Sequence, residues 1–277
     1  MSHSIPESIG KYHILEQAGE GGMGVVYRAA QTDPIKREVA LKVVRRGMNT
    51  KDVIARFEAE RQALAMMDHP GIAKVFDAGE TEDGAPFFVM ELVEGAPLNE
   101  FCEAHRLSIE DRLHLFVRIC KAVQHAHQKG IIHRDLKPSN ILVSNTSPEG
   151  EPESKIIDFG IAKAAAAGQR LTDKTLFTGF MQVLGTPAYM SPEQADISGV
   201  DIDIRTDIYA LGAILYELLS GVLPFDPKRF ETTSLGEIEK ILWEEEPPPP
   251  SKRLARLDKS EIERIAAARK ISDKRLQ

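Results

Sequence analysis

The chain has 277 residues, which is enough for one large domain or for two lobes with separate cores. Its hydrophobic content of 42% and charged content of 28% are those of an ordinary soluble globular protein. The net charge of −7 excludes the basic excess that nucleic acid or an anionic membrane attracts.

The sequence shows no targeting signal and contains only two cysteines. The most apolar stretch, residues 208–216, is too short to span a bilayer, and residues 1–10 lack the basic flank and apolar run of a signal peptide. Cys102 and Cys120 have no metal-ligand spacing and lie in stretches that read as helix, so we expect buried free thiols. We therefore expect a cytoplasmic protein, with no nucleic-acid partner and no membrane partner within this chain.

Three predicted strands surround a glycine-rich run near the start of the chain. The strands cover residues 12–15, 25–27 and 39–44. Glycines at 19, 21 and 24 would let a hairpin tip lie flat over a ligand, with backbone N–H groups near phosphate oxygens. Alone this pattern is a weak signal, and a plain glycine-rich turn is the alternative. A dinucleotide-binding unit would need a helix next, whereas β-branched residues follow here and predict a strand.

Lys42 lies inside the apolar third strand, where an ammonium is costly unless it meets an anion. The alternative is a surface lysine on an edge strand. A helix is predicted over residues 51–67 because its apolar residues recur at helical spacing, and it ends before Pro70. Glu58 and Glu60 on this helix are both candidate partners for the lysine.

Two further strands are predicted at residues 72–79 and 87–92, followed by a helix that runs from an N-cap at Ser108 to about Lys129. Gly130 ends this helix, and several positions along it are apolar. These positions are Leu113, Phe116, Val117, Ile119, Cys120 and Val123.

The centre of the chain is the run His-Arg-Asp-Leu-Lys-Pro-Ser-Asn at residues 133–140, followed by Asp-Phe-Gly at 158–160. An Asp lies five residues before an Asn, with a Lys between them, and a second Asp lies eighteen residues past the Asn. One carboxylate to receive a hydroxyl proton, an amide and a carboxylate to hold magnesium, and a Lys to face a phosphate are the parts that phosphoryl transfer needs.

With these motifs the chain resembles the eukaryotic-type (Hanks-type) serine/threonine protein kinases, in a form similar to the bacterial ones. The resemblance implies an α+β, two-lobed protein-kinase fold: an N-lobe with an antiparallel sheet and one helix, and a mostly helical C-lobe. It places an N-terminal tail at residues 1–11, the N-lobe at 12–90, a hinge at 91–95 and the C-lobe at 96–277. It implies transfer of the γ-phosphoryl group of ATP to Ser/Thr hydroxyls of protein substrates.

The resemblance also assigns the catalytic roles. Asp135 would accept or orient the substrate hydroxyl proton, and Lys137 would neutralise charge on the transferring phosphoryl group. Thr186 would hydrogen-bond both. Asn140 and Asp158 would hold Mg²⁺, for which Mn²⁺ is the alternative metal.

The nucleotide site follows from the same likeness. Lys42 would pair with the phosphates and with Glu60, which the kinase pattern favours over Glu58. Met90 would stand beside the adenine, and backbone groups of Glu91 and Val93 would hydrogen-bond it. The full set that would bind ATP is Gly19, Glu20, Gly21, Gly22, Met23, Gly24, Val26, Ala40, Lys42, Met90, Glu91, Val93 and Leu142. The apolar column that would mark the active state is Leu64, Val75, His133 and Phe159, standing on Asp207.

Residues 161–184 would form the activation segment. A phosphate on one of its threonines could pair with Arg134 and order the loop. By likeness to related bacterial kinases Thr178 is the first choice for autophosphorylation and Thr175 the second, and plain loop threonines are the alternative.

The resemblance runs from about Tyr12 to Trp243. Beyond it, a charged stretch with a short helix near residues 261–270 replaces the two further helices that kinases normally have. We therefore expect a C-lobe that is incomplete, an apolar underside exposed on the helix at 209–219, and a Glu193 without its usual arginine.

Two other function classes remain in view. The first is a catalytically inactive pseudokinase that binds nucleotide or acts as a scaffold. The motif residues do not favour it, although an incomplete lobe could be inactive. The second is a small-molecule kinase, which the Thr-Pro at 186–187 and the long segment before it disfavour.

Overall fold

The structure is a computed structural model of the 277-residue chain, and it describes residues 5–21, 24–44, 67–145, 151–159, 187–196, 202–231, 233–272 and 276. The chain forms two compact units. The first comprises Met1–Val93, Gln128–Ile131 and Gly160–Gly185, and the second comprises Glu94–His127, Ile132–Phe159 and Thr186–Gln277.

The first unit is built on a six-stranded antiparallel sheet with the order β1-β2-β3-β4-β6-β5. Its strands are β1 (Ser8–Ile9), β2 (Tyr12–Gly21), β3 (Gly24–Gln31), β4 (Arg37–Val44), β5 (Val75–Glu80) and β6 (Pro86–Glu91). The three strands predicted around the glycine-rich run are present, and β2 and β3 form the hairpin whose tip carries the glycines.

Alternation along β4 separates the sheet into two faces. Val39 and Leu41 are buried in the core with Tyr12, Ala29 and Val89. Because side chains alternate along a strand, the residues between them point to the opposite face. The alternation thus places Val39 and Leu41 in the core and Lys42 on the opposite face of the sheet.

The second unit is mostly helical in the part that the structure describes. A three-stranded sheet of β7 (Ala96–Pro97), β8 (Ile141–Ser144) and β9 (Glu153–Ile156) accompanies it, in the order β7-β8-β9. The helices are α1 (Leu98–Ala104), α2 (Ile109–Gln128), α3 (Pro192–Ala195), α4 (Ile204–Ser220), α5 (Lys228–Glu231), α6 (Leu235–Glu244), α7 (Pro250–Leu254) and α8 (Lys259–Ala268), with 3₁₀ turns at Pro138–Asn140 and Pro187–Tyr189.

Helix α2 begins where the sequence predicts, but the face that it buries is not the one on which Leu113 and Val117 lie. The Ser108 hydroxyl accepts from the Asp111 N–H at 3.2 Å, as expected of a cap. Leu113 and Val117 are exposed, however, because the buried face of the helix is the one that carries Arg112, Leu115 and Ile119. The apolar residues alone therefore indicate the wrong face at these two positions.

Two buried arginines join α1, α2, α4 and α8. Arg112 donates to the carbonyls of Cys102, Leu107, Leu218 and Ala268. Arg269 donates to carbonyls at the end of α4, and these are Glu217, Leu218 and Leu219. Both guanidinium groups also bind the Glu103 carboxylate, at 3.3 and 3.2 Å.

The charge balance at this junction is uneven. Each arginine side chain is 1% exposed, whereas the Glu103 side chain that they share is 37% exposed. Burial, with Arg112 nearby, lowers the pKa of Arg269 to about 10. Glu103 is thus the carboxylate that offsets two desolvated cations.

The end of the chain agrees with expectation in one respect and departs from it in another. A helix is present as predicted, at α8, and its Ile262 and Ile265 are buried. On α4 the exposed apolar surface among described residues is confined to Ile204 and Ile208, at 44% and 55%, while Ile214 and Leu218 farther along are buried. Most of the apolar underside expected to be exposed is therefore covered.

Glu193 also has a partner. Its Oε1 accepts from the Thr206 hydroxyl at 2.7 Å, so in the described part of the chain a hydroxyl serves where an arginine is usual. The start of α4 thus supplies a hydroxyl partner for the Glu193 carboxylate in the first turn of α3.

The described helices include none that is both long enough and apolar enough to cross a bilayer.

Glu103→Gln should destabilise the folded chain by about 2 kcal/mol, since it leaves two buried guanidinium groups without a counter-charge. The matched control is Glu245→Gln, which breaks an exposed pair with Arg229 and should cost well under about 1 kcal/mol. Urea unfolding of both variants measures the difference. Equal losses would contradict the view that Glu103 neutralises a buried pair.

Candidate functional site

The loop at 133–140 gathers the predicted catalytic side chains of the second unit. Asn140 Nδ2 donates to the Asp135 carbonyl at 2.8 Å and to Asp135 Oδ2 at 3.1 Å. Lys137 Nζ lies 3.2 Å from Asp135 Oδ2. The 3₁₀ turn Pro138–Asn140 produces this arrangement, because it folds the amide back over the carboxylate five residues earlier. A carboxylate, an ammonium and an amide thus meet in one loop.

Asp207 on α4 holds the start of this loop by its main chain. The His133 N–H donates to Asp207 Oδ2, and the Arg134 N–H donates to Asp207 Oδ1, both at 2.8 Å. His127 Nε2 lies 2.8 Å from Oδ2 and must carry the proton, since a carboxylate can only accept. Asp207 is 1% exposed, so these donors satisfy a carboxylate that has no access to water.

His133 is fixed in one tautomer. Its Nδ1 accepts from the Asp135 N–H at 3.2 Å, so Nε2 carries the hydrogen and donates to the Ile157 carbonyl at 3.1 Å. Burial lowers the pKa of His133, against the opposing pull of the carboxylates of Asp207, Asp135 and Asp158. Its ring packs on Phe159 with centroids 4.6 Å apart. A neutral imidazole therefore links the catalytic loop to the strand that leads to Asp158.

The hairpin of β8 and β9 brings the two predicted metal ligands to one end. Ile141 pairs with Ile156, and the Ile157 N–H donates to the Asn140 carbonyl at 2.9 Å, which extends the pairing by one step. Asn140 and Asp158 therefore flank the same end of the hairpin. Asp158 has a left-handed backbone with φ 60°, a conformation that non-glycine residues adopt at a cost and often at functional sites.

The donors present suit a hard cation. Because Asn140 Nδ2 is turned toward Asp135, the amide oxygen is the atom left for another partner, and Asp158 supplies a carboxylate. Mg²⁺ prefers such oxygens and typically takes one or two protein ligands plus phosphate oxygens. Among the described residues no group of three His, Cys, Asp or Glu side chains could hold a metal without such help.

In the first unit, the sheet face opposite the core carries the predicted nucleotide residues. Val26 pairs with Lys42, and Ala40 pairs with Met90, so the register sets these four on one face. Lys42 is buried, and its cross-strand neighbour on β6 is Phe88. The cross-strand neighbours of the Lys42 ammonium are thus apolar, whereas Arg28 stands farther along the same face, opposite Ala40.

The glycines of the β2–β3 tip differ in what they permit. A Cβ on Gly24 would lie 1.9 Å from the Val43 carbonyl oxygen, so close approach of β4 requires glycine there. A Cβ on Gly19 or Gly21 would meet no atom within 4 Å. Packing among the described residues therefore requires glycine at position 24 and does not require it at positions 19 and 21.

At the end of β6 one of the predicted hinge contacts is constrained. The Glu91 N–H donates to the Lys74 carbonyl at 2.8 Å. A purine contact made by the Glu91 backbone would therefore use its carbonyl.

Several predicted residues lie outside the described part of the chain. They are Gly22, Met23, Glu58, Glu60, Leu64, Thr172, Thr175, Thr178 and Thr186. The remaining predicted residues belong to the part of the chain that the structure describes. Of these, Val75 lies on β5 in the first unit and Leu142 lies on β8 in the second.

Sequence reasoning missed two residues that contact the catalytic loop. His127 reaches Asp207, and Gln194 Nε2 donates to the Arg134 carbonyl at 2.7 Å. In the sequence His127 looks like an ordinary histidine near the end of a helix. For Gln194, the available signal was the spacing of Ser191 and Gln194, which predicts a capping box.

Comparison with known proteins places the chain in a family. Residues 12–271 match the protein kinase domain family. The chain is 42% identical over 249 residues to the serine/threonine-protein kinase pkn3 of Myxococcus xanthus, and 40% identical over 232 residues to the serine/threonine-protein kinase PrkC of Bacillus subtilis. These matches cover 88% and 83% of the chain.

Solved structures agree. The kinase domain of PknI from Mycobacterium tuberculosis matches with a TM-score of 0.65 at 26% identity, over 98% of this chain and 93% of that one. The chain therefore belongs to the protein kinase domain family, and the predicted fold and family are confirmed. The chain spans 43% and 33% of the lengths of pkn3 and PrkC.

Gly24→Ala should strongly lower the unfolding midpoint, because its methyl group must displace the backbone of β4. Gly21→Ala is the matched control at the same hairpin tip, and it should change stability by no more than about 0.5 kcal/mol. Nucleotide titration of Gly21→Ala should instead show affinity for ATP reduced several-fold. Similar midpoints for the two variants, or unchanged ATP affinity in Gly21→Ala, would contradict this division of roles.

Proposed function

We propose that the chain is the catalytic domain of a serine/threonine protein kinase, which transfers the γ-phosphoryl group of ATP to Ser or Thr hydroxyls of protein substrates. The observation that carries the proposal is the meeting of Asp135, Lys137 and Asn140 in one loop, with Asp135 Oδ2 within 3.2 Å of both polar neighbours. The serine/threonine kinases among its relatives support the choice of acceptor.

In this proposal Asp135 orients the acceptor hydroxyl and receives its proton as the oxygen attacks the phosphorus. The ammonium of Lys137 offsets charge on the transferring group, and its place beside Asp135 keeps it within reach of the same hydroxyl. Thr186 is proposed as a further hydrogen-bond partner of both.

The nucleotide is proposed to bind against the Lys42 face of the sheet. Val26, Ala40 and Met90 would contact the adenine from that face, and Leu142 from the other lobe. The Lys42 ammonium, set among apolar side chains, suits a phosphate, and Glu60 is its proposed partner on the protein. The tip glycines 19 and 21, which packing among the described residues does not require, suit the approach of backbone N–H groups to phosphate oxygens.

Asn140 and Asp158 are proposed to hold Mg²⁺, or Mn²⁺ in its place. When bound, the metal would supply positive charge that offsets the charge of the phosphates. We also propose a cytoplasmic location for the protein. The N-lobe is proposed to cover residues 12–90, the hinge 91–95 and the C-lobe 96–277. The apolar column proposed to mark the active state consists of Leu64, Val75, His133 and Phe159, standing on Asp207.

Asp135→Ala should abolish nearly all phosphoryl transfer and leave ATP affinity almost unchanged, since Asp135 serves the acceptor and not the nucleotide. The measurement is radiolabel transfer from ATP to protein and to small-molecule acceptors, together with nucleotide titration. Labelling of small molecules alone would favour a small-molecule kinase. Binding of ATP without transfer by the wild type would favour a pseudokinase, and either result contradicts the proposal.

Activation-segment autophosphorylation is proposed at Thr178, with Thr175 as second choice. The added dianion would pair with Arg134 and raise activity. Phosphopeptide mapping after incubation with ATP should find Thr178 modified. Active enzyme with an unmodified Thr178 would rule out this position.

A further inference from the structure

The carbonyl of Arg134, directly before Asp135, is held by a side chain from outside the catalytic loop. Gln194 Nε2 donates to this oxygen at 2.7 Å, while the Arg134 N–H donates to Asp207 on the other side. Arg134 has φ 63°, in the left-handed region that is unfavourable for a non-glycine residue. The main-chain N–H and the main-chain carbonyl of this strained residue are thus both hydrogen-bonded within the second unit.

Gln194 is itself firmly anchored. Its Oε1 accepts from the Ser191 N–H at 3.2 Å and closes the capping box of α3. The Ser191 hydroxyl donates to Thr206 Oγ1 at 3.2 Å, and Thr206 is the residue before Asp207 on α4. The amide and the carbonyl of Arg134 are therefore both held from the first turn of α4, one through Asp207 and the other through α3.

We infer that Gln194 is a positioning residue for Asp135. It acts by holding the peptide group that joins Arg134 to Asp135, and so sets the direction in which the Asp135 carboxylate leaves the main chain. The inference rests on the proposed function, since it concerns the carboxylate that receives the acceptor proton. Gln194 contacts no reacting group and is not itself catalytic.

The two ends of the Gln194 amide do different things, which makes the inference testable. Gln194→Glu keeps an oxygen to cap Ser191, and glutamate is a normal third residue of a capping box, so α3 should keep its stability. The same change removes the N–H donor and sets a carboxylate against the Arg134 carbonyl. Only a protonated carboxyl could donate there, and that bond to the neutral form raises the pKa of the introduced group.

The experiment compares kcat and KM of wild type and Gln194→Glu between pH 6 and pH 8. At pH 8 we expect kcat to fall by about 10- to 100-fold, as for small misplacement of a catalytic group, with the KM for ATP changed less than about twofold. As pH falls, the introduced carboxyl gains its proton and the ratio of variant to wild-type kcat should rise. A merely structural role for Gln194 would not produce a pH-dependent ratio.

The control is Glu237→Gln, which makes the reverse exchange in the capping box of α6, where Ser234 is the N-cap. It should leave kcat unchanged. Thermal unfolding checks that each variant is folded. Should Gln194→Glu not fold, Gln194→Met replaces it, and a pH-independent loss of kcat in that variant is then expected.

The outcomes separate the two proposals. Active wild type with an unchanged kcat in Gln194→Glu, or with a loss that is equal at every pH, would overturn the positioning role alone. An unchanged kcat in a folded Gln194→Met would do the same. Wild type that binds ATP but transfers no phosphoryl group would overturn the proposed function, and the positioning role with it.

Discussion

The buried carboxylate of Asp207 is the constraint on which the catalytic loop depends. A carboxylate that is 1% exposed must be satisfied by the protein, and it receives the N–H groups of His133 and Arg134 together with the ring of His127. Consecutive backbone N–H groups cannot normally converge on one acceptor in extended chain. Here they reach the two oxygens of one carboxylate, and the left-handed backbone of Arg134 directly after them sets the direction in which the chain continues to Asp135.

The remaining parts of the site are fixed relative to this point by short connections. His133 accepts from the Asp135 N–H and donates to Ile157, so the loop and strand β9 share one imidazole. The 3₁₀ turn then places Asn140 beside Asp135, and the hairpin pairing brings Asp158 to the same end. Each of these connections is a short stretch of chain or a single hydrogen bond. The oxygen and nitrogen atoms of the site are therefore held closely in place relative to one another.

Sequence could predict the parts whose geometry is local. The strand that carries Lys42 and the cap at Ser108 follow from spacing, and the resemblance to kinases implies that Asp135 and Asn140 act together. It could not predict Arg112 and Arg269 as core residues, because their carbonyl partners come from helices far apart in the chain. The apolar residues Leu113 and Val117 likewise do not mark the inner face of α2, because burial of Arg112 decides which face turns inward.

Support by the main chain also suits a site at which charge must change. Asp207 and Gln194 hold amide and carbonyl groups of Arg134, and neither group alters when a proton arrives at a neighbouring carboxyl. A loop held through the Asp135 side chain alone would loosen at the step where that side chain is protonated. In the second unit the carboxylate that would receive the proton is therefore distinct from the carboxylate that holds the loop in place.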